Sequence, residues 1–246
     1  LEERTYSFEA ALPALRRLKQ LQHPLVYCTS KTYAECRSLQ ERMEVEGPVI
    51  VENGGGIYLP PDMLSSTLRN ESHGWRRIPL GVPYAELRRH LDEVRRDLGL
   101  NLLGMGDSGP EFLALHCNLG REQVREAMQR EFDEPFLMPS GDAPSIGRMK
   151  QAFEVRGLQV SQGGRFFHLS GDSDKGRAVR LLVRLLRSAG IVCETVGIGD
   201  SPNDIPMLAA VEHPFLVMRP GGHHDAQVVN ALPGVTRVPR VGPEGW

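Results

Sequence analysis

Val196 to Leu208 reads Val-Gly-Ile-Gly-Asp-Ser-Pro-Asn-Asp-Ile-Pro-Met-Leu. The apolar, β-branched run from Ile191 to Ile198 predicts a buried strand, and it stops at Gly199, where Asp200 and Asp204 enter around a Ser-Pro-Asn turn. In an open parallel sheet the carboxyl ends of the strands face the ligand crevice, which puts Asp200 at its mouth and Asp204 at the start of the next helix. Hard oxygen donors with Asn203 between them suit Mg²⁺, which takes one or two carboxylates and completes its shell with waters and phosphate oxygens. The same residue types also cap helices and form turns, so this stretch alone leaves both readings open.

A chain of 246 residues, 40% of them hydrophobic, has ample material for one large or two small cores. A net charge of -2, with basic residues scattered along the chain, gives no field to hold nucleic acid. No apolar run approaches the length of a membrane span, and no signal peptide is expected. Cys28, Cys36, Cys117 and Cys193 lack the paired spacing of a zinc site and read as reduced thiols of a cytoplasmic protein. The excess of Arg (25) over Lys (4) fits a GC-rich or thermophilic source.

From the amino end, Ser7 can cap a helix through Phe8, Leu12, Leu15, Leu18 and Leu21, which Pro24 ends. Leu25 to Cys28 predicts a short buried strand, followed by Thr29-Ser30-Lys31-Thr32 and a second helix from Tyr33 to Met43. Hydroxyls and an ammonium thus meet a helix N-terminus, where backbone N–H groups favour an anion, though simple capping by Thr29 and Ser30 is the alternative. Val49 to Val51 and Ile57 to Leu59 predict strands joined by Glu52-Asn53-Gly54-Gly55-Gly56, which reads as a structural hairpin turn. No phosphate-loop lysine or dinucleotide fingerprint comes after these glycines.

Ser65 to Trp75 is polar and irregular, a candidate hinge. Beyond it, an amphipathic helix opens at Pro83 with Arg88, Arg89, Arg95 and Arg96 on its solvated faces, and Glu122 to Phe132 predicts another. Strands are predicted near Glu111–His116, Pro135–Met138, Leu158–Ser161 and Arg165–Leu169. Two helices among several strands make an α+β unit, residues 73–169, inserted into an α/β domain formed by 1–72 and 170–246. Within the insert, Arg165 can reach a substrate carboxylate bidentately, and Glu131 or Glu134 can accept hydrogen bonds from sugar hydroxyls. Lys175 then opens a strongly periodic helix, where a cation opposes the macrodipole and a bound phosphate would remove the conflict.

The order Thr29-Ser30, insert, Lys175, Gly199-Asp200-Ser201-Pro202-Asn203-Asp204 resembles the haloacid dehalogenase-like phosphatases over nearly the whole chain. Thr29 stands in the place of that superfamily's second motif, Lys175 in that of the third and Gly199–Asp204 in that of the fourth. Within the sugar-phosphate branch, four segments are similar to the mannosyl-3-phosphoglycerate phosphatase family: Cys28–Thr32, Glu131–Phe136, Gly163–His168 and Ser173–Gly176. The resemblance implies a Rossmann-like, doubly wound parallel-sheet core with an inserted α+β cap. It also implies a Mg²⁺-dependent phosphatase acting on a small phosphorylated glycosyl-glycerate in compatible-solute synthesis, in a form compatible with a homodimer. Asp200 and Asp204 would serve the metal, Thr29 and Lys175 the transferring phosphoryl group, and Ser30, Lys31, Glu131, Arg165 and Asn203 the substrate.

The family's first motif, which carries the aspartyl nucleophile and the general acid, is absent from these residues. Leu1-Glu2-Glu3-Arg4 resembles the segment immediately after that motif, so both aspartates are expected upstream of Leu1. Another sugar-phosphate phosphatase of the same superfamily, or a ligand-binding relative without the nucleophile, are the alternative readings.

Overall fold

The computed structural model describes residues 7–61, 63, 74–107, 109–110, 119–139, 141–163 and 166–246. The expected strand at Glu111–His116, most of the Ser65–Trp75 hinge, Cys117 and Arg165 lie outside the described residues. Helix α1 (Leu12–Gln20) takes Pro13 in its first turn, where the missing N–H costs nothing. Strand β1 is only Tyr27–Cys28, shorter than the Leu25–Cys28 run, because ladder pairing with β2 (Val49–Val51) begins at Tyr27 opposite Val49. Between these parallel strands lies α2 (Tyr33–Met43), capped by Thr32 in a reciprocal box with Glu35. β3 (Gly56–Leu59) and β4 (Arg76–Pro79) extend the sheet antiparallel.

The insert comes next. α3 (Tyr84–Leu98), α4 (Arg121–Ala127) and α5 (Ala143–Glu154) accompany a four-stranded antiparallel sheet of β5 (Leu103–Gly104), β6 (Asp133–Leu137), β7 (Gln159–Gly163) and β8 (Phe166–Ser170), in the order β5-β6-β8-β7. Its core joins Leu87, Leu91, Phe136, Met149, Phe153 and Leu169. The sequence did not signal α5, whose apolar stripe is thin. Asp142 caps it, Pro144 sits in its first turn, and only Met149 and Phe153 are buried. The helix expected over Glu122–Phe132 stops at Ala127, because Phe132 is drawn instead into a core cluster with Tyr27, Val49, Tyr58 and Trp75.

The chain returns to the core through α6 (Lys175–Ser188), β9 (Val196–Gly199), α7 (Ile205–Leu208), β10 (His213–Met218), α8 (Ala226–Ala231) and β11 (Thr236–Val241). These three strands are parallel in the order β11-β10-β9. The strand expected over Ile191–Ile198 is halved: β9 starts at Val196, where pairing with His213 begins, and Val192 upstream is 98% exposed. β11, hidden from the sequence in a Pro- and Gly-rich tail, is an edge strand, where Pro239 costs no ladder bond. Among the described residues β1 pairs only with β2, and β9 only with β10, so each half of the core presents one unpaired parallel edge. The result is an α/β core carrying an inserted α+β cap.

Three glycines let cap and core approach. A Cβ on Gly55 would lie 2.3 Å from the Phe132 Cβ, and Gly56 and Gly81 meet the same side chain. Phe132 is 1% exposed and joins the two units, so truncation leaves a cavity that the glycine backbone cannot fill. We expect Phe132→Ala to lower unfolding free energy by about 3–5 kcal/mol, read by urea denaturation.

Candidate active site

Two strand ends and one helix start build the site. Thr29 and Ser30 follow β1, and Asp200 follows β9. Lys175 opens α6, and its Nζ lies 2.7 Å from Asp204 Oδ1 in the turn after β9, with both side chains buried. Gly54 packs so tightly on the Asp174–Lys175 peptide that a Cβ there would lie 2.2 Å from the Asp174 carbonyl oxygen, and its φ of +99° further restricts the position to glycine.

Burial works against the Lys175 ammonium, but the Asp204 carboxylate, helped by Cys28 and Asp200, outweighs it and holds the pKa above the ordinary lysine value. The lysine therefore stays charged. Asp204 also satisfies its second oxygen: Oδ2 accepts from the amides of Asp200 (3.1 Å) and Ser201 (3.3 Å). So Asp204 forms the turn, as its residue type suggests, and in addition neutralises a buried cation. The conflict of Lys175 with the helix dipole is thus met by a carboxylate of the chain itself. Asp200 is half-buried, and burial followed by the Asp204 charge raises its pKa, while Arg219, past the end of β10, opposes the rise. A carboxylate destabilised by a neighbouring negative charge is a fitting donor for a divalent cation. No group of three His, Cys, Asp or Glu side chains that could hold a metal occurs among the described residues, so Asp200 would need oxygens from elsewhere. The Asn203 side chain is turned back on its own loop, its Oδ1 accepting from Ser201 Oγ at 2.5 Å.

Thr29 and Ser30 do not cap α2, because Thr32 does. The Thr29 hydroxyl accepts from the Lys31 amide (3.2 Å), which leaves its proton to donate. The carbonyls of this loop are all held: Asn53 N–H donates to Thr29, Arg130 Nη1 to Ser30 and Glu52 N–H to Lys31. Lys31 Nζ pairs with Glu35 at 2.9 Å. The turn read as a plain hairpin is therefore part of the site, with Glu52, Asn53 and Gly54 all at positive φ.

Sequence reasoning missed Glu52 and Arg130. Glu52 is buried, and its carboxylate accepts from the Phe132 amide at 2.8 Å and the Glu131 amide at 3.0 Å, clamping the cap to the core. Burial, helped by Asp133, pushes its pKa up to about 7 against Arg130 and these amides. Glu131 is engaged by Tyr58 and, at 2.7 Å, by Arg77, and so lies on the cap–core seam. Glu134 faces the opposite side and binds Arg88 at 3.0 Å. Arg88 and Arg95 are accordingly not a solvated face, since both also bind Asp107. No spacing rule could reveal these pairs, whose partners are far apart in sequence.

Asp204→Ala strands a buried ammonium, and we expect it to cost about 3–5 kcal/mol in chemical denaturation. Glu52 has a higher pKa folded than unfolded, so its share of the stability is greatest below about 4.5 and falls as pH rises to about 7. Unfolding free energies measured across that window should show the wild type losing ground to Glu52→Gln, and a constant difference would contradict the shifted pKa.

No family model matches the chain. It is 36% identical over 248 residues to a glucosyl-3-phosphoglycerate/mannosyl-3-phosphoglycerate phosphatase of Methanococcoides burtonii, covering all of this chain and 90% of that protein. A mannosyl-3-phosphoglycerate phosphatase of Pyrococcus furiosus is 32% identical over 94% of this chain and 93% of its own length. A haloacid dehalogenase-like hydrolase from Bacteroides thetaiotaomicron shares the fold at a TM-score of 0.61 and 17% identity, covering 91% of this chain and 84% of that one. The chain adopts the fold of a haloacid dehalogenase-like hydrolase and belongs to the mannosyl-3-phosphoglycerate phosphatase family of phosphoric monoester hydrolases.

Proposed function

We propose that the protein hydrolyses the phosphate monoester of mannosyl-3-phosphoglycerate or glucosyl-3-phosphoglycerate, with Mg²⁺, releasing the glycosylglycerate. The whole-length likeness to phosphatases named for these substrates supports the reading. The observation that carries it is the buried Lys175–Asp204 pair set between Asp200 and the Thr29 loop. A fixed ammonium and a free hydroxyl proton at converging strand ends suit a phosphoryl group, whose oxygens gain charge in the transition state.

In this reading Thr29 Oγ1 and Lys175 Nζ bind two phosphoryl oxygens, and Asp200 is the direct metal ligand. When bound, Mg²⁺ neutralises and orients the phosphoryl group. Asp204, with both oxygens already engaged, serves the metal through its waters and holds Lys175 in place. The resemblance implies a carboxylate nucleophile carried on a further strand of the core. It attacks phosphorus to form an acyl phosphate as the bond to the alcohol oxygen breaks, a second carboxyl group in its protonated form gives its proton to the departing alkoxide, and the resulting carboxylate then activates water for hydrolysis. The unpaired parallel edges of β1 and β9 support a strand between them, with its carboxyl end at this site. Lys31 and Arg165 bind the glycerate carboxylate, while Ser30, Glu131 and Asn203 shape the substrate's surroundings.

Phosphate release by the full-length protein from both glycosyl-3-phosphoglycerates, beside a panel of simple sugar phosphates, tests the substrate; a preference for the simple sugars would reassign it. In Asp200→Asn we expect turnover to fall by about two orders of magnitude and half-saturation by Mg²⁺ to need much higher concentrations. Unchanged Mg²⁺ activation would remove Asp200 from the metal site.

A further inference from the structure

The cap sheet has two unlike faces. Phe136, Phe167 and Leu169 point to α3 and α5, so strand alternation turns Asp133, Pro135 and His168 the other way. That face looks to the core: Asp133 pairs with Arg130 (3.4 Å), whose Nη1 donates to the Ser30 carbonyl at 2.9 Å. A short chain of polar contacts thus runs from the phosphate-binding loop to the cap strand β8, and it ends on His168.

Asp133 is 1% exposed, and its Oδ2 lies 2.8 Å from His168 Nδ1. A carboxylate only accepts, so Nδ1 carries a proton and, in the neutral ring, Nε2 presents a lone pair. Among the described residues Nε2 has no partner, and 17% of the side chain stays accessible on the core-facing side of the sheet. Asp133 Oδ1 is likewise buried without a partner. Holding a carboxylate this far from water is costly, and beside its ion pair with Arg130 it yields a histidine held through Nδ1 on the core-facing side of the sheet.

We propose that Asp133 and His168 form a dyad that reads the alcohol half of the substrate, His168 Nε2 accepting a hydrogen bond from one of its hydroxyl groups. His168 is then a specificity-determining residue and Asp133 its positioning residue. The proposal rests on the phosphatase reading and takes as its ligand a polyhydroxylated phosphate ester.

The test compares His168→Asn, His168→Gln and wild-type full-length protein on mannosyl-3-phosphoglycerate and on p-nitrophenyl phosphate, whose leaving group has no hydroxyl to recognise. Asparagine keeps the bond to Asp133, and hence the fold, but removes the Nε2 position, whereas glutamine reaches that position. We expect His168→Asn to lose about tenfold in kcat/KM on the glycosyl ester with about twofold or less on p-nitrophenyl phosphate, and His168→Gln to recover part of the loss. Equal losses on both substrates, or no loss on the glycosyl ester, would overturn the dyad. A wild type that cleaves p-nitrophenyl phosphate but neither glycosyl-phosphoglycerate would end the substrate reading alone. The same variants would then be compared on the sugar phosphate it turns over fastest, with the same outcomes deciding.

Discussion

The buried ion pair of Lys175 and Asp204 locks the start of α6 to the turn after β9, and Gly54 from the other half of the core packs on the same Asp174–Lys175 peptide. Removing two charges from water is expensive, and their mutual attraction offsets this only if the remaining polar atoms are also satisfied. Here they are, because the second oxygen of Asp204 takes two backbone amides from its own turn. The pair therefore fixes three things together: the start of α6, the turn after β9 and the charge beside Asp200. It leaves a cation facing strand ends, a condition for gripping phosphoryl oxygens.

The second constraint is close packing between cap and core. Gly54, Gly55 and Gly56 leave no side chain on their strip of backbone, which lets the Asp174–Lys175 peptide press on one end and Phe132 on the other. Glu52 then grips the amides of the segment carrying Phe132, and Arg130 returns from that segment to the Ser30 carbonyl. The Thr29–Lys31 loop and the cap thus share hydrogen bonds, so in the proposed reading the part that recognises the alcohol is registered on the part that binds the phosphate. Such registration favours placing reacting groups accurately.

Chain order explains which features were readable. Asp200, Asp204, Thr29 and Lys175 each stand beside a strand end or helix start with a local signature, and the structure joins Lys175 to Asp204 beside Asp200. Glu52, Arg130, Asp133 and His168 carry no local signature. Their meaning comes from partners about 35 to 100 residues away in sequence. The same reason accounts for the shortened β9, whose extent follows its neighbour β10 rather than its own apolar run.

By itself the sequence determined the alternation of strands and helices, the inserted unit and the acidic turn that marks the site, because periodicity and turn chemistry are local properties. Only the tertiary structure decided that Asp204 spends its carboxylate on Lys175, that the glycine turn belongs to the site, and that Glu131 lies on the seam with Arg77. Those outcomes depend on desolvation and on which groups meet when distant segments pack, and neither is encoded at any single position.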